Sequence, residues 1–229
     1  MAEIIRINEK TWRIEDGGVR FFVLDGDSSA VVIDSGMNTP DARAIAESIT
    51  RGSVCLINTH ADIDHISGND AFDEVYIHPA DIEKLLSQGK TSEIIPVFNG
   101  MVFDPGNRPL KIIELPGHTP GSIAVLDVNA RVLYGGDSIQ DGRIFMFGEG
   151  RDLKEYIKSL RVLMKNHGSE FDVVYPSHAS PEVDKGLALK LADAAEKILE
   201  GKAQHTEAEL FGQKIAVYDF PFAGFLCDI

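Results

Sequence analysis

The sequence predicts an α/β sandwich in which residues 1–229 form a single domain. Three observations carry that expectation. Short β-branched and aromatic runs are mixed with amphipathic helical segments along the whole chain instead of being segregated. Polar, chemistry-bearing residues follow the carboxyl ends of the strand-like runs. No fixed-period repeat, low-complexity tract or long Pro/Ser/Gly linker divides the chain. A length of 229 residues suffices for one large domain with a sizeable core.

The elements are justified in chain order. Ile4–Ile7, Val19–Leu24 and Ala30–Ile33 read as strands of an antiparallel meander, punctuated by Gly17-Gly18 and Asp25-Gly26-Asp27. Pro40 starts a helix with Ala42, Ile45, Ala46 and Ile49 on one face, and Gly52 ends it. A buried strand, Val54–Ile57, follows, then a strand at Val75–Ile77 and a helix from Pro79 that gathers Ile82, Leu85 and Leu86. Strands are expected at Ile112–Leu115, Ile123–Leu126, Val132–Tyr134 and Val173–Tyr175. Two longer helices complete the pattern. One carries Leu153, Tyr156, Ile157, Leu160, Leu163 and Met164; the other carries Val183, Leu187, Leu191, Ala195, Ile198 and Leu199. The stretch from Gly89 to Pro109 is loop-rich but studded with apolar residues, so it does not separate two domains.

Composition excludes several classes. Charged residues make up 25% and hydrophobic residues 44%, too apolar for a disordered chain. The formal net charge of -14 and the lack of a basic cluster argue against a nucleic-acid partner. No stretch approaches the length of a membrane span, and the N-terminus lacks the basic start and apolar run of a leader. Cys55 and Cys227 are too few for a disulfide framework and read as reduced, packed thiols, so a cytoplasmic protein is expected.

The histidines and aspartates then fall into place. His60, Asp62, Asp64 and His65 follow strand Val54–Ile57; His118 follows Ile112–Leu115; Asp137 follows Val132–Tyr134; and His178 follows Val173–Tyr175. Four separate strands delivering such groups point to one convergent site. Imidazole and carboxylate are the ligands of a divalent cation, and these seven exceed what one tetrahedral ion holds, which implies two metals sharing a bridging carboxylate and water. Taken alone, Asp62 and Asp64 are equally well explained as loop carboxylates capping backbone N–H groups; the other three strand-end groups tip the balance. His167 and His205 have bland structural explanations, and His78 before Pro79 reads as a helix cap.

The segments Thr59-His60-Ala61-Asp62-Ile63-Asp64-His65, Pro116-Gly117-His118-Thr119-Pro120-Gly121-Ser122, Gly135-Gly136-Asp137 and Pro176-Ser177-His178, with Val32-Ile33-Asp34-Ser35-Gly36 before them, resemble the motifs of the metallo-β-lactamase-fold superfamily of binuclear metallohydrolases. The resemblance spans nearly the whole chain in the right order. It implies a four-layer αββα sandwich of two mixed β-sheets flanked by helices, with metals at one edge of the sheets. It further implies that His60, Asp62 and His118 hold the first ion, that Asp64, His65 and His178 hold the second, and that Asp137 bridges them. Asp34 would support the metal loop from behind. One position departs: Asp62 stands where most members carry histidine, and a harder oxygen donor there moves the site from pure zinc preference toward iron or manganese. Two divalent ions, zinc first, are the expected cofactors.

The expected reaction is attack by a metal-bound hydroxide on a small ester, lactone or thioester, with Asp64 as the catalytic residue that orients the hydroxide and carries a proton to the leaving group. Thr59, Thr119, Ser122 and Ser177 adjoin the ligands and read as ordinary turn or cap residues before partners that fix imidazole tautomers. Two other readings share the same residues. One is a di-iron oxygen or nitric oxide reductase, whose branch places glutamate at the position of Asp62; the other is a metal-binding sensor without turnover. The partner is expected to be a small molecule. Apolar segments 144–147 and 218–226 wall a pocket, cover the core or join two chains as a homodimer, with core or interface preferred. Gly89-Lys90-Thr91 is a chance match to a phosphate-binding loop, and neither a dinucleotide fingerprint nor a Gly-x-Ser-x-Gly elbow is present.

Overall fold

A computed structural model describes residues 2–89 and 92–229. Met1, Lys90 and Thr91 fall outside the described residues, and with them part of the Gly89-Lys90-Thr91 match.

The first half of the chain builds one sheet. Its strands are β1 (Glu3–Asn8), β2 (Thr11–Asp16), β3 (Val19–Asp25) and β4 (Ser29–Ile33), then helix α1 (Ala42–Ile49), β5 (Ser53–Ile57), the single helical turn α2 (Ile63–Ile66), β6 (Glu74–Ile77), α3 (Ile82–Ser87) and β7 (Glu93–Pro96). The seven strands lie in sequence order, antiparallel from β1 to β4 and parallel from β4 to β7. The second half supplies β8 (Val102–Phe103), β9 (Leu110–Glu114), β10 (Ile123–Asp127) and β11 (Val132–Gly136), then β12 (Arg143–Met146), α4 (Leu153–His167), β13 (Val173–Pro176), β14 (Val183–Asp184) and α5 (Leu187–Leu199). A six-stranded sheet runs in the order β14-β13-β11-β10-β9-β8. Finally β15 (Thr206–Leu210), β16 (Gln213–Phe220) and β17 (Ala223–Asp228) join β12 in a third sheet, ordered β12-β17-β16-β15.

Side-chain alternation makes the layers. On β3, Phe22 and Leu24 face the second sheet and pack with Ile112, Val125 and Tyr134, whereas Phe21 and Val23 face α1 and α3 with Ala46 and Leu85. On the far side of the second sheet, Ala124, Leu126 and Leu133 meet Tyr156 and Leu160 of α4 and Leu191 and Ala195 of α5. The result is the αββα sandwich implied by the sequence motifs. The third sheet is an addition: Ile144, Ala223, Phe225 and Cys227 join the α4/α5 core.

Several local expectations change. Val183 does not open α5; it pairs with Val174 across β13 and β14, as suits a β-branched residue beside a neighbouring strand, and the helix begins at Leu187. Leu86 does not share the face of Leu85: Leu85 is buried and Leu86 is exposed, because α3 turns only one narrow stripe toward the sheet. Strand β2 has no counterpart among the expected strands, since its apolar Trp12 and Ile14 alternate with Arg13 and Glu15. The Gly89–Pro109 stretch contains strands β7 and β8. Segment 144–147 serves two purposes: Ile144 and Met146 are core, while Phe145 and Phe147, on the opposite side of the pleat, line a cavity.

Candidate metal centre

Strands β5, β9, β11 and β13 end at one edge of the two facing sheets. Strands β9 and β11 are each antiparallel to β10, and β13 is parallel to β11, so all three run the same way and release their following residues together. That shared edge collects all seven residues singled out by sequence. His60, Asp62 and His118 form one group with ligand-capable atoms close together, Asp64, His65 and His178 a second, and His60, His65 and Asp137 a third. Asp62 Oδ2 lies 3.5 Å from His60 Nε2 and 3.2 Å from His118 Nε2. Asp64 Oδ2 lies 3.1 Å from His178 Nε2 and 3.7 Å from His65 Nε2. Asp137 spans the two groups, with Oδ1 at 3.2 Å from His65 Nε2 and 3.4 Å from His178 Nε2, and Oδ2 at 3.8 Å from His118 Nε2.

The imidazole tautomers follow from the outer hydrogen bonds. His118 Nδ1 donates to the Phe145 carbonyl at 2.9 Å and His178 Nδ1 to the Gly18 carbonyl at 2.7 Å, because a carbonyl only accepts. Asp34 Oδ2 accepts from His65 Nδ1 and from the Thr59 hydroxyl, both at 2.8 Å. With its proton committed to Asp34, the Thr59 hydroxyl accepts from His60 Nδ1 at 3.0 Å. Every Nδ1 is thus a donor, and in the neutral ring every Nε2 presents a lone pair inward. His60 Nε2 and His118 Nε2 face each other at 3.3 Å, and the buried His65 Nε2 and Asp137 Oδ1 have no hydrogen-bond partner. Converging lone pairs with orphaned buried acceptors are the arrangement that a divalent cation satisfies, so these residues fit the two ions implied by the motifs.

Electrostatics tell the same story without a cation. Burial pushes the Asp137 carboxyl up, but the His178 and His65 imidazoles outweigh it and hold the group well below the usual carboxylate range. Burial likewise raises Asp62, and His60 and His118 together bring it far below that range. Burial lowers His178, yet Asp137 and Asp64 lift it to about 10. His118 moves down, through burial and then the charge of Arg151. Before a cation binds, the cluster therefore favours ionised carboxylates balanced by positive charge at His65 and His178.

Asp62 has partners that sequence reasoning did not single out. Arg151 Nη2 donates to its Oδ2 at 2.7 Å and Lys84 Nζ pairs with its Oδ1, while Arg151 Nη1 also holds the His118 carbonyl. Two cations thus meet the negative charge of this carboxylate. Asp81, almost fully buried, joins the two motif loops: it accepts from Ala61 N at 3.0 Å, Thr119 Oγ1 at 2.8 Å and Gly121 N at 2.7 Å. Arg20 on β3 holds the His178 loop through the Ser180 and Ala179 carbonyls at 2.7 Å and 2.6 Å. None of these carries a spacing signal; a buried charge on an element next to the site becomes visible only after folding. Thr59, read from sequence as a turn residue, touches the His60 ring directly, whereas His78 is the expected cap, accepting from Ala80 N.

A four-layer αββα sandwich whose sheets deliver imidazoles and carboxylates to one shared edge is the architecture of the metallo-β-lactamase fold. The chain belongs to the metallo-β-lactamase superfamily, whose family description matches residues 14–202. It is 23% identical over 185 residues to the acyl-coenzyme A thioesterase MBLAC2 of Homo sapiens, covering 63% of this chain and 66% of that protein. It is 29% identical over 183 residues to the hydroxyacylglutathione hydrolase of Brucella anthropi, covering 75% and 66%. These matches span slightly less than two thirds of either relative. The metallo-beta-lactamase from Pontibacter korlensis superposes with a TM-score of 0.70 at 20% identity, over 84% of this chain and 99% of that one. The sec-alkylsulfatase Pisa1 from Pseudomonas sp. superposes at 0.72 with 15% identity, over 88% and 42%.

Proposed function

We propose that the chain is a metal-dependent hydrolase of small esters, lactones or thioesters, in which His60, Asp62 and His118 hold one divalent ion, Asp64, His65 and His178 a second, and Asp137 both. The observation that carries this reading is the convergence of four inward Nε2 atoms on Asp62, Asp64 and Asp137 with His65 Nε2 and Asp137 Oδ1 orphaned. The names of the acyl-coenzyme A thioesterase and the hydroxyacylglutathione hydrolase favour an acyl substrate. When bound, the cations supply an acidified water and polarise the acyl oxygen. The protein does the rest. Asp64 beside His178 orients the attacking water, takes its proton and returns it to the departing sulfur or oxygen. Asp34 and Thr59 hold the rings of His65 and His60 in the tautomer that leaves Nε2 free. Zinc suits the four imidazoles; the three carboxylates admit manganese or iron. The whole chain acts as one domain on this reading.

A second reading, in which only the site of Asp64, His65 and His178 fills, is favoured by the engagement of both Asp62 oxygens by Lys84 and Arg151. Elemental analysis beside an ester, lactone and thioester panel separates the two. About two metal ions per chain with turnover is the expected outcome, against one ion for the second reading. Asp64→Asn and His118→Ala are expected to lower kcat/KM by at least about a hundredfold while the fold is kept. Undiminished turnover in both variants removes the proposed site.

A further inference from the structure

The cavity over the candidate metal centre, about 640 Å³, is polar at its floor, at three paired cations and at Gln88 and Gln140. Asp62, Asp64, Asp137 and His178 form the floor. The walls are Met37, Ile63, Phe145, Phe147 and Phe211, drawn from separate segments of the chain. Met37, Ile63 and Phe211 are 48%, 51% and 84% exposed, a grouping of large apolar side chains around a cavity mouth that isolated surface residues do not produce. The cations along the wall are already matched: Lys84 and Arg151 pair with Asp62, and Arg143 pairs with Asp219. They leave little free positive charge for a polyanionic group inside the cavity.

Phe211 is the telling residue. It sits at the tip of the β15–β16 hairpin, where Leu210 pairs with Gln213 across a two-residue turn. Phe211 has φ 54° and Gly212 φ 76°, the left-handed pair that such turns require and that normally selects Asn-Gly or Asp-Gly. An aromatic at the first position gives up backbone freedom and gains no packing inside the protein. The hairpin lies beyond residues 14–202, the part of the chain that the family description matches.

We infer that the cavity takes the apolar acyl group of an ester or thioester, with the carbonyl over Asp64, Asp137 and His178, the chain along Phe145 and Phe147, and Phe211 closing over it. The inference rests on the proposed hydrolase activity for the bond that breaks. Water adds to the acyl carbon, the C–S or C–O bond breaks, the thiol or alcohol leaves with a proton, and the carboxylic acid is the other product.

The test uses the full-length, metal-loaded protein and two readouts. The first is kcat/KM for N-acetylcysteamine thioesters from acetyl to decanoyl. The second is the affinity of the free carboxylic acids of the same series, measured by calorimetry, which does not depend on turnover. Each methylene buried is expected to raise both quantities about two- to fourfold until the cavity is filled. Phe211→Ser is expected to flatten the dependence on chain length, and Phe211→Leu to restore most of it. A flat chain-length profile in the wild type, or an unchanged slope in Phe211→Ser, overturns the inference. Acid binding that grows with chain length without any turnover supports the acyl cavity and removes the hydrolase reading; turnover indifferent to chain length does the reverse.

Discussion

A histidine offers a cation one lone pair only when its other nitrogen is committed, and at this site every commitment is visible. Asp34 is the supporting residue that serves two ligand rings: it accepts from Thr59 N at 2.7 Å, from the Thr59 hydroxyl that holds His60, and from His65 Nδ1, and its own backbone is left-handed at φ 64°. A left-handed aspartate is uncommon, and here its side chain is fully used to tie down the metal loop. Asp34→Ala leaves these buried donors without an acceptor and lets the His65 ring turn. The expected result is a metal affinity weaker by about ten- to a hundredfold, together with about 1–3 kcal/mol of lost stability. A chromogenic chelator competition and urea unfolding measure the two; unchanged metal affinity would show that the Nδ1 partner does not set the ring. The seven ligand candidates were legible because their types and spacing are unusual. Asp81, Arg20, Lys84 and Arg151 were not, because a lone charged residue in a sequence is most often a solvated one.

Among the elements, the segment before His118 shows how the second motif works. Gly117 has φ 136°, and a Cβ there would stand 2.4 Å from the Tyr156 Cα of α4. The loop and the helix therefore approach each other more closely than a side chain allows, and Asp152 N donates to the Gly117 carbonyl at 2.9 Å beside the start of that helix. Gly117→Ala strains the backbone and pushes α4 away. A loss of about 3 kcal/mol or more is expected, which at this size lowers Tm by about 6–12 °C. A change within a degree or two would mean the contact relaxes freely. Strand β12 makes a related point: its alternation sends Ile144 and Met146 into the core and Phe145 toward the cavity, where the Phe145 carbonyl also fixes the His118 ring. One strand thus shapes both the pocket and a ligand.

At the scale of the whole molecule, the C-terminal strands decide more than their position suggests. Ala223, Phe225 and Cys227 pack in the same core as Tyr156, Leu160 and Ile144, and β17 pairs with β12. A chain ending at Lys202 would keep every ligand candidate and the whole family-matched region, yet uncover the flank of α4 and leave β12 without a partner. Loss of a fully buried Phe alone costs about 3–5 kcal/mol, comparable to the total stability of many domains. The truncated chain is expected to be insoluble or to melt without cooperativity. A soluble fragment with a sharp melting transition would show that the third sheet is an appendage.

The sequence by itself determined the fold class, most strands and the seven convergent residues, because β-branched runs, helical periodicity and His/Asp spacing are local properties written in neighbouring positions. It left β2 and the C-terminal hairpin obscure, since alternating charges on one face and aromatics without helical period give weak local signals. Only the tertiary structure decided which cations meet Asp62, which side of β12 faces the cavity and that Phe211 stands over the metal loops. Those facts depend on contacts between residues far apart in the chain, as when Arg151 reaches Asp62, and a long-range contact has no period to read.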